Sequence, residues 1–255
     1  MKTRLLNSKS AKKIPFEKLL SLKLLVGAVA ACTVLPYQVY AAPTGGTVVG
    51  GTGSINQTGN LTSVTQTSDR LSLRWNKFNV NSNERVEFVQ PTASSIVLNR
   101  ILDSNASQIA GRIDANGRVI LMNPNGVIFN GTAVVNVGGL IASGLNIESS
   151  DFMNGDLVFS EVLNSSGLVR NKGLITASTG GNVALLGKNV INSGLISADL
   201  GHVALASGAE AVVTFDADGL IGVRIDRETL TSELAAEVNN YGVQNSGTVI
   251  ANIEY

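Results

Sequence analysis

Cysteine, histidine and tryptophan are almost missing from this chain of 255 residues, which has one of each. Cys32 lies within the first 41 residues, so the remainder has neither disulfide nor thiol chemistry. With His202 the single histidine, zinc centres and Cys/His nucleophile pairs are excluded. Aromatic residues amount to 5%. Beyond residue 41 no apolar run is long enough to span a membrane as a helix.

Net charge is also lacking, but the formal value of zero conceals an asymmetry. Residues 1–41 hold seven bases (Lys2, Arg4, Lys9, Lys12, Lys13, Lys18, Lys23) and one acid, Glu17. Taking these from the nineteen residues of each sign leaves twelve bases and eighteen acids, a formal charge of −6. An acidic body argues against nucleic acid as a partner, since phosphate binding needs clustered Lys and Arg.

The basic head reads as a secretory signal. Its long n-region leads into "LLVGAVAACTVLP" and then "VYAAP". Val39 and Ala41 fit the −3 and −1 positions, which places cleavage after Ala41, with Pro43 at +2. As a transmembrane anchor the run is too short and too broken. A competing reading takes "VAAC" (29–32) as a lipoprotein box, making Cys32 a lipidated N-terminus. An acyl chain on Cys32 would decide for it.

What the sequence does have is 27 glycines, with frequent Asn, Ser, Thr and Val. That composition suits many short strands and tight turns. Five segments share one pattern: "AGRIDA" (110–115), "GGLIAS" (138–143), "KGLITA" (172–177), "SGLISA" (193–198) and "SGTVIA" (246–251). Their aligned glycines are Gly111, Gly139, Gly173, Gly194 and Gly247. Two residues on comes a branched aliphatic: Ile113, Ile141, Ile175, Ile196 or Val249. Two further on comes a small residue, and the position between varies. This period of two describes a strand with one buried face.

A second strand follows in three repeats, as "RVILM" (118–122), "NVALL" (182–186) and "HVALA" (202–206). Its inward pairs are Val119/Leu121, Val183/Leu185 and Val203/Leu205. A unit near 21 residues with two or three short strands cannot bury its own apolar face and must stack on a neighbour. The expected fold is all-β, a right-handed parallel β-helix with rungs about 4.8 Å apart. A β-sandwich is the simplest alternative, but it would not need aligned glycines. Asn171, Asn192 and Asn245, at matching corners, are expected to stack into a ladder.

Residues 42–105 show no clear repeat, and an N-terminal β cap is expected there, with rungs over 106–255. Within 42–105, "RLSLRWNKFNV", "ERVEFVQP" and "SSIVLNRIL" read as strands. An insertion is expected at about 209–240. In it, "AVVTFDADGLIGVRID" (211–226) forms an extra-helical hairpin, and "RETLTSELAAEV" (227–238) has helical spacing.

Taken together, "WNKFNVNSNERVEFVQP", "SSIVLNRI", "SQIAGRIDANGRVILMNPNGVIFN" and "VNVGGLIASGLNI" resemble the secretion domain of two-partner-secretion exoproteins, the filamentous-haemagglutinin-like adhesins and their contact-dependent-inhibition relatives. The resemblance covers nearly all residues after the signal. It implies a single-stranded, pectin-lyase-like β-helix with an N-terminal cap. It implies export by the Sec machinery and passage through an outer-membrane β-barrel transporter, whose periplasmic polypeptide-transport-associated domains bind the extended chain. The family's NPNG tetrapeptide falls on Asn123, Pro124, Asn125 and Gly126. A second family motif, NPNL, has no copy here. Family members run far beyond this domain, whereas this sequence stops part-way through a rung at "SGTVIANIEY".

No catalytic constellation is visible, and neither enzyme activity nor a cofactor is expected. The carboxylate pairs Asp151/Asp156 and Asp216/Asp218 supply too few of the six to eight oxygens that calcium needs. His202 aligns with Arg118 and Asn182 at an outward strand position, where a bystander is expected. "TGGTVVGGTG" (44–53) lacks the GK[ST] ending of a phosphate loop and is read as a flexible mature N-terminus. "NPNG" has the residue order of a type I turn, with Pro presetting φ and Asn bonding back to the backbone. The leading functional reading is a secreted or surface-exposed domain that its transporter recognises and that starts β-helix folding. The second is a haemagglutinin or adhesin that binds a host-surface glycan or protein. The third is a polysaccharide lyase on the same fold, disfavoured by the missing acid cluster.

Overall fold

The computed structural model describes residues 42–215, 221–225 and 242–251. The expected signal with Cys32, the expected helix over 227–238, and Asp216 and Asp218 lie outside the described residues.

The strands are short and follow the period-two segments. The first are β1 (Thr47–Gly50), β2 (Gly53–Thr58), β3 (Leu61–Gln66), β4 (Arg70–Trp75), β5 (Arg85–Val89) and β6 (Ile96–Ile101). Next come β7 (Ser107–Ile109), β8 (Arg112–Ala115), β9 (Arg118–Met122), β10 (Val127–Phe129), β11 (Val134–Val137) and β12 (Gly139–Ser143). One short helix, α1 (Ser149–Asn154), and β13 (Val158–Ser160) interrupt the series. It resumes with β14 (Leu168–Asn171), β15 (Leu174–Ala177), β16 (Val183–Gly187), β17 (Asn189–Asn192), β18 (Leu195–Ala198) and β19 (Val203–Ser207). A hairpin of β20 (Glu210–Phe215) and β21 (Ile221–Ile225) precedes β22 (Gly242–Asn245) and β23 (Thr248–Ile250).

Three of the four sheets among the described residues are the faces of a parallel β-helix. The seven-stranded face runs β1-β4-β6-β9-β12-β16-β19. The eight-stranded face runs β2-β3-β5-β8-β11-β15-β18-β23, and the five-stranded face β7-β10-β14-β17-β22. One coil therefore reads β8, β9, β10, and the next begins at β11. Only β1 and β2 pair antiparallel within these faces. The cap expected over 42–105 is thus divided: β3, β4, β5 and β6 already stack in parallel on the later coils. The glycine-rich stretch 44–53, expected to be flexible, instead contains β1, whose pairing with β4 holds it in place.

The interior is built from columns of like residues. Leu71, Val97, Val119, Leu140 and Val183 lie one above another and are fully buried. Val86, Ile113, Val135, Ile175 and Ile196 form the column on the eight-stranded face. Leu121 and Leu185 join the same core, and Val203 and Leu205 pack against it half-buried on the last strand of their face. Each fully buried aliphatic side chain contributes about 1.5–3 kcal/mol relative to exposure. A single coil cannot collect this, because its inner edge is covered only by its neighbours.

The five-stranded face changes chemistry along its length. Ile109 and Phe129 give way to Asn171, Asn192 and Asn245 at the same register. Asn171 Nδ2 donates to Asn192 Oδ1 at 2.9 Å, and Asn192 Nδ2 to Asn245 Oδ1 at 2.9 Å. The amide both donates and accepts, so identical side chains satisfy one another at each step.

Two expectations need correction. Ile141 is buried, but not in the interior. It pairs in register with Ile120 and Ala184 and belongs to a second, outer cluster. The interior positions of β12 are Leu140 and Ala142. "GGLIAS" is therefore a second strand, aligned with "RVILM" and "NVALL". The first strand of that coil is β11, and Ala133 stands where the other coils have Gly111, Gly173 and Gly194. At those glycines the backbone of the coil below leaves no room for a Cβ, whereas at Gly139 the nearest atom would be 3.3 Å away. Both strand types alternate small and aliphatic residues after a glycine, so one pattern matched two different faces.

The outer cluster lies on the outside of the seven-stranded face. Ile96, Leu98, Ile120, Met122 and Ile141 are covered by Phe152 of α1, Leu157, Phe159 of β13, and Ala211 and Val213 of β20. β13, β20 and β21 form the fourth sheet, antiparallel throughout. The hairpin expected outside the helix is this covering layer.

Candidate functional site

Residues 123–126 form the corner between β9 and β10. Asn123 is fully buried. Its Oδ1 accepts the Asn125 N–H at 2.9 Å, and the Gly126 N–H bonds the Asn123 carbonyl at 2.9 Å. The side chain thus reinforces the backbone turn that Pro124 presets. Gly126 has φ +120°, and a Cβ there would press on the Leu168 carbonyl oxygen at 3.0 Å and Ala106 Cβ at 3.2 Å. Glycine is required by both conformation and space.

The corner is bonded on both sides. Towards the preceding coil, Asn123 Nδ2 donates to the Asn105 carbonyl (3.0 Å) and to Ser107 Oγ (3.1 Å). Asn125 Nδ2 donates to the Asp103 carbonyl at 2.9 Å, and the Ser107 N–H to the Gly126 carbonyl at 2.9 Å. Towards the following coil, the Gly167 N–H donates to the Pro124 carbonyl (2.9 Å), and Ser166 Oγ to the Asn125 carbonyl (2.6 Å). All four carbonyls of the motif are therefore occupied. Asp103, Asn105, Ser107, Ser166 and Gly167 complete the site and were not foreseen. The Asx- and Ser-rich "LDSNAS" (102–107) carries the same turn chemistry one coil earlier, which was the available signal.

The same corner is where the chain leaves the helix. After β12 it departs to form α1 and β13 before returning at β14, and after β19 it departs again for β20 and β21. Beside residues 124–125 lies an open cleft of about 300 Å³, lined also by Arg100, Leu102, Asp103 and residues 162–165. Leu102 is 54% exposed and Leu163 80% exposed at its rim.

The other candidates stay apart. His202 is exposed, with its backbone N–H on Asn182 Oδ1 (2.9 Å). Asp151, in the first turn of α1, and Asp156, just beyond its C-cap, are exposed. Among the described residues no group of three or more His, Cys, Asp or Glu is placed to hold a metal ion. On the eight-stranded face, Asp114 Oδ2 receives Arg85 Nε (2.7 Å) and Arg112 Nε (2.6 Å). The hydrogen bond to Asp114 raises the Arg112 pKa above its ordinary value. Two half-exposed arginines thus pair with one largely buried carboxylate.

A heme/hemopexin-binding protein of Haemophilus influenzae is 35% identical over 218 residues, which is 82% of this chain and 23% of that protein. Another H. influenzae protein of that description is 41% identical over 85 residues, 33% of this chain and 9% of the relative. The chain thus spans about a quarter of the first relative's length and less of the second. The crystal structure of the HMW1 secretion domain from H. influenzae superposes with a TM-score of 0.71 at 29% identity, covering 83% of this chain and 54% of that one. Residues 39–253 match the model of the TPS secretion domain, the secretion domain of two-partner-secretion exoproteins. By this match and by its parallel β-helix, the chain belongs to the TPS secretion domain family.

Proposed function

We propose that this domain acts without catalysis, as the part of an exported protein that its outer-membrane β-barrel transporter recognises and that begins β-helix folding outside the cell. On this reading residues 1–41 direct the chain to the Sec machinery. The transporter's periplasmic polypeptide-transport-associated domains then meet it while it is extended. The observation that carries the reading is the bonding of the NPNG corner. Asn123, Pro124, Asn125 and Gly126 join the corner at 103–107 to the return strand at 166–168. In an extended chain these groups are far apart, so closing this corner brings three levels of the helix together. No ATP is available at the outer membrane, and folding outside it favours forward movement.

The test is secretion from cells that express the chain with its genetically neighbouring transporter. Export should stop when the transporter is absent. Asn125→Ala and Pro124→Ala should lower the secreted amount several-fold while the refolded proteins keep most of their stability. Equal losses of secretion and stability would reduce the motif to a structural corner. Export that persists without the transporter would overturn the reading.

A further inference from the structure

Four Asn–Gly pairs occur in the chain, at 116–117, 125–126, 130–131 and 154–155. Asn–Gly is the sequence most open to spontaneous loss of ammonia. The glycine nitrogen gives up its proton to base and attacks the asparagine Cγ. A C–N bond forms, the Cγ–Nδ2 bond breaks, and ammonia leaves a cyclic succinimide. Water then opens the ring at either carbonyl, giving aspartate or isoaspartate. The step needs a free glycine N–H and room for the main chain to turn.

Folding treats the four pairs differently. The Gly117 N–H is held by Gln90 Oε1 at 3.0 Å, and Asn116 is clamped to the Gln90 backbone through both side-chain atoms at 2.7 Å. The Gly126 N–H is held by the Asn123 carbonyl, and Asn125 Nδ2 by the Asp103 carbonyl. The Gly155 N–H is held by the Phe152 carbonyl at 3.1 Å in the cap of α1. At Gly131 the N–H has no acceptor among the described residues, and nothing lies within 4 Å of its Cβ position. Asn130 Nδ2 makes one exposed bond, to Gln108 Oε1 at 3.2 Å.

We infer that Asn130 is the deamidation site of the folded domain, and that folding shields Asn125 of the NPNG corner from the same reaction. Isoaspartate at 130 lengthens the main chain by one methylene at a bonded corner. There the Asn130 N–H holds the Ile109 carbonyl at 2.7 Å, and the Asn130 carbonyl accepts the Ala133 N–H at 2.9 Å.

The experiment ages the secreted full chain at pH near 8, natively and in urea, and quantifies aspartate and isoaspartate by peptide mass spectrometry. For each pair the native rate is divided by its own urea rate, which cancels the influence of neighbouring residues. Asn130 should be the least protected of the four, with the ratio nearest one. The other three should be slowed about five- to tenfold, the rate factor of one net hydrogen bond. Gly131→Ala should abolish the native modification. Equal ratios at all four pairs, least protection at Asn116, Asn125 or Asn154, or unchanged modification in Gly131→Ala would each overturn the inference.

Discussion

Replacing Asn123 by alanine tests whether the NPNG corner is held by its side chains. Asn123 is fully buried and makes three side-chain bonds: to the Asn125 N–H, the Asn105 carbonyl and Ser107 Oγ. Alanine removes all three. Ser107 is 1% exposed, so water does not readily replace the lost partner. A buried polar group left unsatisfied costs about 1–3 kcal/mol. Two such groups, with partial relief at the more open Asn105 carbonyl, place Asn123→Ala at about 2–4 kcal/mol. Asn125 is only half-buried and loses one bond, to the Asp103 carbonyl. Asn125→Ala should therefore cost about 0.5–1.5 kcal/mol. For a domain of this size 1 kcal/mol moves Tm by about 2–4 °C. Thermal unfolding followed by circular dichroism should show Asn123→Ala lowered by about 4–16 °C and Asn125→Ala by about 1–6 °C. Asn123→Ser, which retains an acceptor for the Asn125 N–H, should fall between. If Asn125→Ala proves the more damaging, or if Asn123→Ala stays within about 2 °C of the parent, the bonding argument fails.

Other expectations follow from the packing. Asn192→Ala breaks two rungs of the amide ladder and strands the Asn171 donor, at a cost of about 2–3 kcal/mol; hydrogen exchange should show the loss concentrated in β14, β17 and β22. Gly201→Ala drives a Cβ into the Gly181 carbonyl oxygen of the coil below and should destabilise by about 2–3 kcal/mol. Gly131→Ala, with open space at its Cβ, should stay within about 0.5 kcal/mol by urea denaturation. Ile141→Ala leaves a cavity between the seven-stranded face and its covering layer and should cost about 2–4 kcal/mol, with increased binding of a hydrophobic dye. Arg112→Ala should cost less than about 1 kcal/mol despite its bond to Asp114, because both Arg112 and Arg85 are about half exposed in solvent that screens the pair.

Much of the architecture was legible in the sequence. Recurrence of Gly, aliphatic and small residues at irregular spacing, 21 residues at its shortest, required stacking, because no single unit could cover its own apolar edge. The Asn at matching corners announced the ladder, since an amide satisfies its own kind. Asn123, Pro124, Asn125 and Gly126 announced their turn, since a turn depends on residues adjacent in the chain. These are local or strictly periodic properties, and a sequence carries them directly.

Which face a repeat occupies was not local. "GGLIAS" fits either strand type, and only pairing with β9 and β16 turned Ile141 outward and Leu140 inward. The apolar outward positions on the seven-stranded face acquire their reason from α1 and the β13-β20-β21 sheet, which come from two separate departures of the chain. The partners of the NPNG corner, from Asp103 to Gly167, are likewise assembled from different coils. The sequence by itself determined that the chain is a solenoid and where one of its corners lies. Tertiary structure alone decided which face each strand joins, what covers that face, and which groups close the corner, because those depend on contacts between residues that meet only when coil is laid upon coil.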